Sequence, residues 1–350
     1  MTSSRFVVGL EGTSLTPAER NAYSKHVPFG FVLFPRNLRS AAQTAELTAD
    51  VRSLGEPAPL LFVDQEGGTV DRLGPLVGQP FASAASVAAA GSDRVHENAF
   101  LMGRAARLLG FDADFAPCVD LGQPMAGEAV LAGRTFGFHA EDVVVAGMVF
   151  LHGLTRAGIA SCLKHFPGLG RASADTDSGL PVVDAHDVDL MVTDVAPFKS
   201  LASIADGVLV GHAAYPDLSG EVVPASLSPR IYSLLRHRVG FDRAVFSDDL
   251  TMGALSGPLP GRAARAAAAG CDLLVVSRPG DEWEGLIRAV GETRERDGDL
   301  PGRERRLVAF RERCVSAPRP AFTPAAWDDL SAAVARFSEA LARPRGETSS

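Results

Sequence analysis

Eight short apolar runs, most of them ending in polar or charged residues, set the strongest limit on what this chain can fold into. They are FVVGL (6–10), GFVLF (30–34), LLFVD (60–64), DADFAP (112–117), ASCLKH (160–165), GVLVGH (207–212), AVFSD (244–248) and DLLVVS (272–277). Strands without polar alternation are covered on both faces, the mark of a parallel sheet wrapped by helices. Helical text such as SAAQTAELTADVRSL (40–54) and GRAARAAAAGC (261–271) lies between them and supplies the crossovers. Eight such units predict a TIM (β/α)8 barrel in one domain over residues 1–317. An open doubly wound sheet is the alternative, but no GxGxxG follows the first strand, where a dinucleotide fold would carry one. Residues 318–350 are expected to form a proline-rich connector, an amphipathic helix and a disordered tail.

Charge and composition then narrow the partners. The net charge of -8 argues against nucleic acid, because its binders gather Lys and Arg on one face. The arginines of ERDGDLPGRERR (295–306) alternate with acids and are expected on a solvated helix face. The longest apolar run, VVVAGMVFLHGL (143–154), is too short to span a bilayer, and MTSSRFVVGLEG does not read as a secretion signal. The expected setting is the cytoplasm, with no membrane contact. Cys118, Cys162, Cys271 and Cys314 stand without CxxC spacing and are expected as buried, reduced thiols.

In a barrel the chemistry gathers where strands end. Here those positions hold Asp64, the Lys164 and His165 pair, His212, and Asp248 with Asp249. Several familiar sites are excluded. GLG (168–170) has no GK[ST] behind it and is no P-loop, and DTDSG (175–179) lacks the closing glutamate of a calcium loop. Neither HExxH nor GxSxG occurs. What remains is acids and bases on a rim, with Arg72, Arg134 and Lys164 able to donate hydrogen bonds to a neutral polar ligand. Paired carboxylates flanking a sugar are the common means of cleaving a glycosidic bond.

The segments VDQEGGTVDRLG (63–74), FAPCVDLG (115–122), GRTFG (133–137), KHFPGLG (164–170), GHAAYP (211–216) and FSDDLTMGA (246–254) resemble the successive signatures of family 3 glycoside hydrolases. They are nearest to the single-domain bacterial β-N-acetylglucosaminidases that recycle cell-wall muropeptides. The resemblance implies a TIM barrel without metal or cofactor, and a retaining double displacement on β-linked N-acetylhexosaminides. It makes Asp248 the nucleophile. It gives Asp64, Arg72, Arg134, Lys164 and His165 to substrate binding, with a salt bridge on the rim the plainer role for the arginines and core packing for His165. His212 is expected to be mainly structural, and Asp249 to cap the next helix or hold Asp248 in place.

One departure stands out. In the hexosaminidase branch the loop after strand five carries Asp-Ser/Thr-His, and that histidine, paired with the aspartate, is the acid/base. This chain reads Asp175-Thr176-Asp177. Asp177 can serve as the acid itself, because two carboxylates two positions apart repel and one holds its proton. Alternatively the chain binds sugar without cleaving it efficiently, or it acts on a glycoside that needs less acid assistance.

Overall fold

The computed structural model describes residues 2–123, 131–293 and 299–343. Eight parallel strands run in the order β7-β6-β5-β4-β3-β2-β1-β8. They are β1 Phe6–Val8, β2 Gly30–Leu33, β3 Leu60–Val63, β4 Ala113–Asp114, β5 Ala160–Phe166, β6 Gly207–Val210, β7 Ala244–Ser247 and β8 Leu274–Val276. A parallel bridge from Phe246 to Leu273 joins β7 to β8, and the Ser247 N–H donates to the Leu273 carbonyl at 2.9 Å. The sheet is thus a TIM-type barrel, as the apolar runs predict. Every strand residue is buried, because side chains alternate between the barrel interior and the helical layer.

Two strands, β4 and β8, fall furthest short of their apolar runs. β4 stops at Asp114, ahead of Pro117, which has no N–H to give a ladder, although Phe115 still donates to Val63 at 2.9 Å. β8 begins only at Leu274, since the Asp272 side chain accepts from the Val245 N–H and pairs with Arg236 and Arg306.

The interior is filled by aromatic rings. Phe62 stacks on Phe115 at 5.3 Å and on Phe310 at 6.1 Å, and Phe246 meets all three edge-on. Phe310 and Cys314 come from the helix Leu300–Val315, which plugs the end of the barrel where strands begin. Arg311 donates to the carbonyls of Ala58 and Phe29 at 2.6 and 3.2 Å, and Arg313 to that of Ile159 at 3.0 Å. These carbonyls lie just ahead of β3, β2 and β5.

This overturns the expectation of a solvated face for two of the arginines of 295–306, while Arg305 is exposed as expected. Arg303 and Arg306 are only 5% and 7% exposed, and Arg306 pairs with Asp272 at 2.8 Å. Burial beside a paired carboxylate is how an interior tolerates a guanidinium. Residues 295–298 of that stretch lie outside the described residues.

The helix Pro324–Ala342 starts at Thr323, whose side chain accepts from Ala326 N–H. It buries Trp327, Leu330, Val334 and Phe337, one stripe at helical spacing, and lies against the helix Ser92–Leu108. The expected tail, residues 344–350, lies outside the described residues. All four cysteines are buried and free. Among the described residues, no helix is long and apolar enough to cross a membrane.

Candidate active site

Lys164 sits near the end of β5, where the strand meets its loop, and reaches across to β3. Its ammonium contacts Asp64 closely and Glu66 at 2.5 Å. Glu66 in turn receives Arg134 in a forked pair, Nε to Oε2 at 2.9 Å and Nη2 to Oε1 at 2.8 Å. The outer edge of the row is Arg72, 3.6 Å from Asp64, and its Nε has no partner among the described residues. Arg134 Nη2 also meets Nε2 of His165 at 3.3 Å, while Nδ1 of His165 meets Asp120 at 2.7 Å. The five residues assigned to binding from sequence therefore form one connected wall.

The charges in that wall settle one another. Burial works to strip the Lys164 proton, but Asp64 and then Glu66 outweigh it and hold the ammonium above its ordinary range. Burial opposes the Glu66 carboxylate, yet Lys164 and Arg134 keep its pKa below the usual value. Arg134 and Lys164 are thus ion-paired groups.

Two carboxylates in this wall were not picked out from sequence. Glu66 stands in VDQEGG and Asp120 in FAPCVDLG, both in quoted motifs. The only signal was an acid shortly after an apolar run; the cross-strand pairing that gives each its place is invisible in one dimension.

The loops that carry the wall are tightly fitted. A side chain at Gly170 would place its Cβ 2.0 Å from the Leu121 carbonyl, and Gly168 has a φ of +128° beside Asp194. The Pro-Gly-x-Gly turn is therefore a close backbone fit between the β5 and β4 loops. Gln65 fixes the β3 loop, accepting from the N–H groups of Arg72 and Leu73 at 2.9 Å and donating to Asp71 at 2.8 Å.

Asp248 follows β7, partly exposed, with its Oδ1 accepting from Asp249 N–H at 2.9 Å. Asp249 accepts from the N–H groups of Thr251 and Ser277, both at 3.0 Å, and so ties the turn to β8. It braces this loop; a turn follows it where a helix was expected. His212 accepts from Ser226 at 2.7 Å and donates to the Asp249 carbonyl at 2.9 Å, a bracing role that agrees with the sequence assignment. Burial raises the pKa of the interior thiol of Cys162, on which Lys164 and Asp248 act with opposite sign. The β5 and β7 groups therefore share the top of the barrel interior.

The Asp175-Thr176-Asp177 segment lies against the β7 loop. The Ala254 N–H donates to the Thr176 carbonyl at 2.9 Å, and a Cβ on Gly253 would come within 2.4 Å of the Asp177 carbonyl. Asp175 accepts from the Asp177 N–H at 2.9 Å, so its carboxylate shapes the turn. Partial burial, and then the carboxylates of Asp175, Asp248 and Asp249, push the Asp177 carboxyl above its ordinary pKa. His186, outside this group, opens the helix Asp187–Val192.

Cys118, Asp120 and His165 offer ligand atoms within 4.8 Å of one another, a grouping that could hold a metal ion. The three are already hydrogen-bonded among themselves, with Cys118 Sγ 3.3 Å from Asp120.

The profile of the glycosyl hydrolase family 3 N-terminal domain matches residues 13–309. A β-hexosaminidase of Stenotrophomonas maltophilia is 36% identical over 286 residues, 78% of this chain and 83% of that protein. The family 3 β-N-acetylglucosaminidase from Paenibacillus has 28% identity and a TM-score of 0.85, over 99% of this chain and 69% of its own. NagZ of Neisseria gonorrhoeae superposes with a TM-score of 0.82 at 27% identity, over 97% and 98% of the two chains. Its complex with N-trifluoroacetyl-D-glucosamine matches with a TM-score of 0.77 at 26% identity, over 96% and 98%. With the barrel, the strand-end acids and this likeness together, the chain belongs to glycosyl hydrolase family 3 and is a glycoside hydrolase.

Proposed function

We propose that the protein is a retaining β-N-acetylhexosaminidase that cleaves N-acetylglucosamine-type residues from cell-wall-derived glycosides, with Asp248 as nucleophile and Asp177 as acid/base. The observation that carries this reading is the docking of the β5 loop on the β7 loop, in line with an Asp177 carboxyl whose pKa is raised by partial burial, then by Asp175, and then by Asp248. Asp64, Arg72, Arg134, Lys164 and His165 form the sugar-binding wall. In the first step Asp248 bonds to the anomeric carbon and the bond to the leaving oxygen breaks, that oxygen taking the Asp177 proton. In the second, water attacks the same carbon, loses a proton to Asp177 and frees Asp248.

One observation favours a second reading. Asp175, which in the family pattern pairs with the histidine, here holds a turn. A sugar-binding protein with impaired turnover is the form that reading takes. Nitrophenol release decides between them: hydrolysis of the β-N-acetylglucosaminide, in preference to the β-glucoside and the N-acetylgalactosaminide, is the expected result. No release from any of the three, with binding of N-acetylglucosamine retained, selects the binding protein.

A further inference from the structure

We infer that Asp120 is a positioning residue that locks His165 in the Nδ1–H tautomer, so that the Nε2 lone pair of His165 holds Arg134 in place at the sugar pocket. The assignment follows from what each partner can donate. A guanidinium carries donors only, so Nε2, 3.3 Å from Arg134 Nη2, is the acceptor. The ring proton is then on Nδ1, which points at Asp120 Oδ2 from 2.7 Å.

Asp120 is built as a pure acceptor. It is fully buried, and its Oδ1 accepts from Leu169 N–H at 2.7 Å and His165 N–H at 3.2 Å. The Cys118 thiol reaches Oδ2 at 3.3 Å. Every group around this carboxylate donates to it, so an ionised acid satisfies all of them and an amide would face like against like. The same side chain ties the β4 loop to the end of β5, and so the ring is fixed in position as well as in tautomer.

Alternating charge continues along the wall. Asp120 holds His165, His165 holds Arg134, Arg134 forks onto Glu66, and Glu66 meets Lys164, which meets Asp64. In this arrangement both ring nitrogens of His165, itself 7% exposed, are used within the protein. With the proton on Nδ1, the ring offers the pocket no N–H. The sugar-site reading matters here only for the effect on turnover, because the tautomer is a property of the unliganded chain.

The test is nitrogen NMR on the full chain labelled at histidine, with His165 assigned by the resonances lost in His165→Gln. In its neutral form the wild-type ring is expected to show a protonated Nδ1 and an unprotonated Nε2. Asp120→Asn should move the proton to Nε2 and lower kcat/KM on an aryl β-N-acetylglucosaminide roughly 10- to 100-fold, the range for orienting partners of site histidines. A wild-type ring protonated on Nε2 overturns the inference, and so does an Asn variant whose tautomer is unchanged, whatever its activity. Should Asp120→Asn fail to fold, the wild-type spectrum alone decides. A wild type with the expected tautomer and no turnover sinks the β-N-acetylhexosaminidase reading and leaves this inference standing.

Discussion

Asp177 occupies the place where the family pattern has a histidine, and its carboxyl is shifted in the direction an acid catalyst needs. Partial burial and the surrounding carboxylates raise its pKa, so under the proposed acid role activity should fall as pH rises through the raised value. Asp177→Asn should therefore slow cleavage of an unactivated disaccharide by roughly 10²-fold or more and erase the alkaline limb, while activated aryl glycosides lose less. A variant equal to wild type on the disaccharide would move the acid role elsewhere. Asp248→Asn should abolish turnover and leave the melting temperature near wild type, since this residue stands at the partly exposed rim; retained activity within a fewfold removes it as nucleophile. Glu66 carries a different signature. Its pKa is lowered in the folded state, so its contribution is present above the ordinary value of 4.5 and lost as pH falls below it. Glu66→Gln leaves a buried ammonium short of a partner and should cost about 3–5 kcal/mol at pH 7. Urea midpoints should show that gap narrowing toward acid pH, and a gap independent of pH would contradict the ion-pair account. Asp64, Lys164 and His165 stood out in the sequence because each closes an apolar run, whereas Arg72 and Arg134 were singled out through the segments VDQEGGTVDRLG and GRTFG. The sequence did not show Glu66 or Asp120, whose roles depend on partners 68 and 45 residues away.

Elements were easier to read than their ends. A strand buried on both faces leaves an apolar run that no loop imitates, and all eight runs became strands. Their limits were set by neighbours: Pro117 follows soon after β4 ends, and the ion-paired Asp272 delays β8. The helix Leu300–Val315 was misjudged for a related reason. Alternating Arg and acid over 295–306 read as a wet face, yet Arg303 and Arg306 are buried and Arg306 pairs with Asp272; further along the same helix Arg311 and Arg313 cap strand-start carbonyls and Phe310 enters the aromatic stack. Charge alone does not reveal which arginines find buried acceptors. Phe310→Ala should destabilise the barrel by about 3–5 kcal/mol, as large aromatic truncations in cores do. Because this ring lies at the end remote from Asp248, KM should hold within about twofold. Denaturant titration with steady-state kinetics checks both, and a large KM change with little loss of stability would refute the plug assignment.

The barrel and the helix Pro324–Ala342 are coupled through the loop that carries Arg72. Trp327 donates from Nε1 to the Leu76 carbonyl at 3.3 Å, and Gln79 donates to the Ser331 carbonyl at the same distance. Leu76 and Gln79 lie four and seven residues beyond Arg72 along the chain, and Gln65 binds the N–H of Arg72 itself. The C-terminal helix thus backs the β3 loop, while its buried stripe covers the helix Ser92–Leu108. Two effects of truncation before Pro324 can be separated. Uncovering Trp327, Leu330, Val334 and Phe337 removes roughly 1.5–3 kcal/mol of burial per large side chain, so the melting temperature should fall and the protein should aggregate more readily. Loss of the backing contacts should loosen Arg72 and Asp64 and raise KM, with kcat less affected because Asp248 and Asp177 sit on the β7 and β5 loops. Trp327→Phe offers a milder test, since it keeps most of the apolar contact and deletes only the hydrogen bond to Leu76. It should raise KM modestly at nearly constant stability. If truncation lowers the melting temperature but leaves KM at the wild-type value, the helix is a cover for the core alone and has no hold on the site.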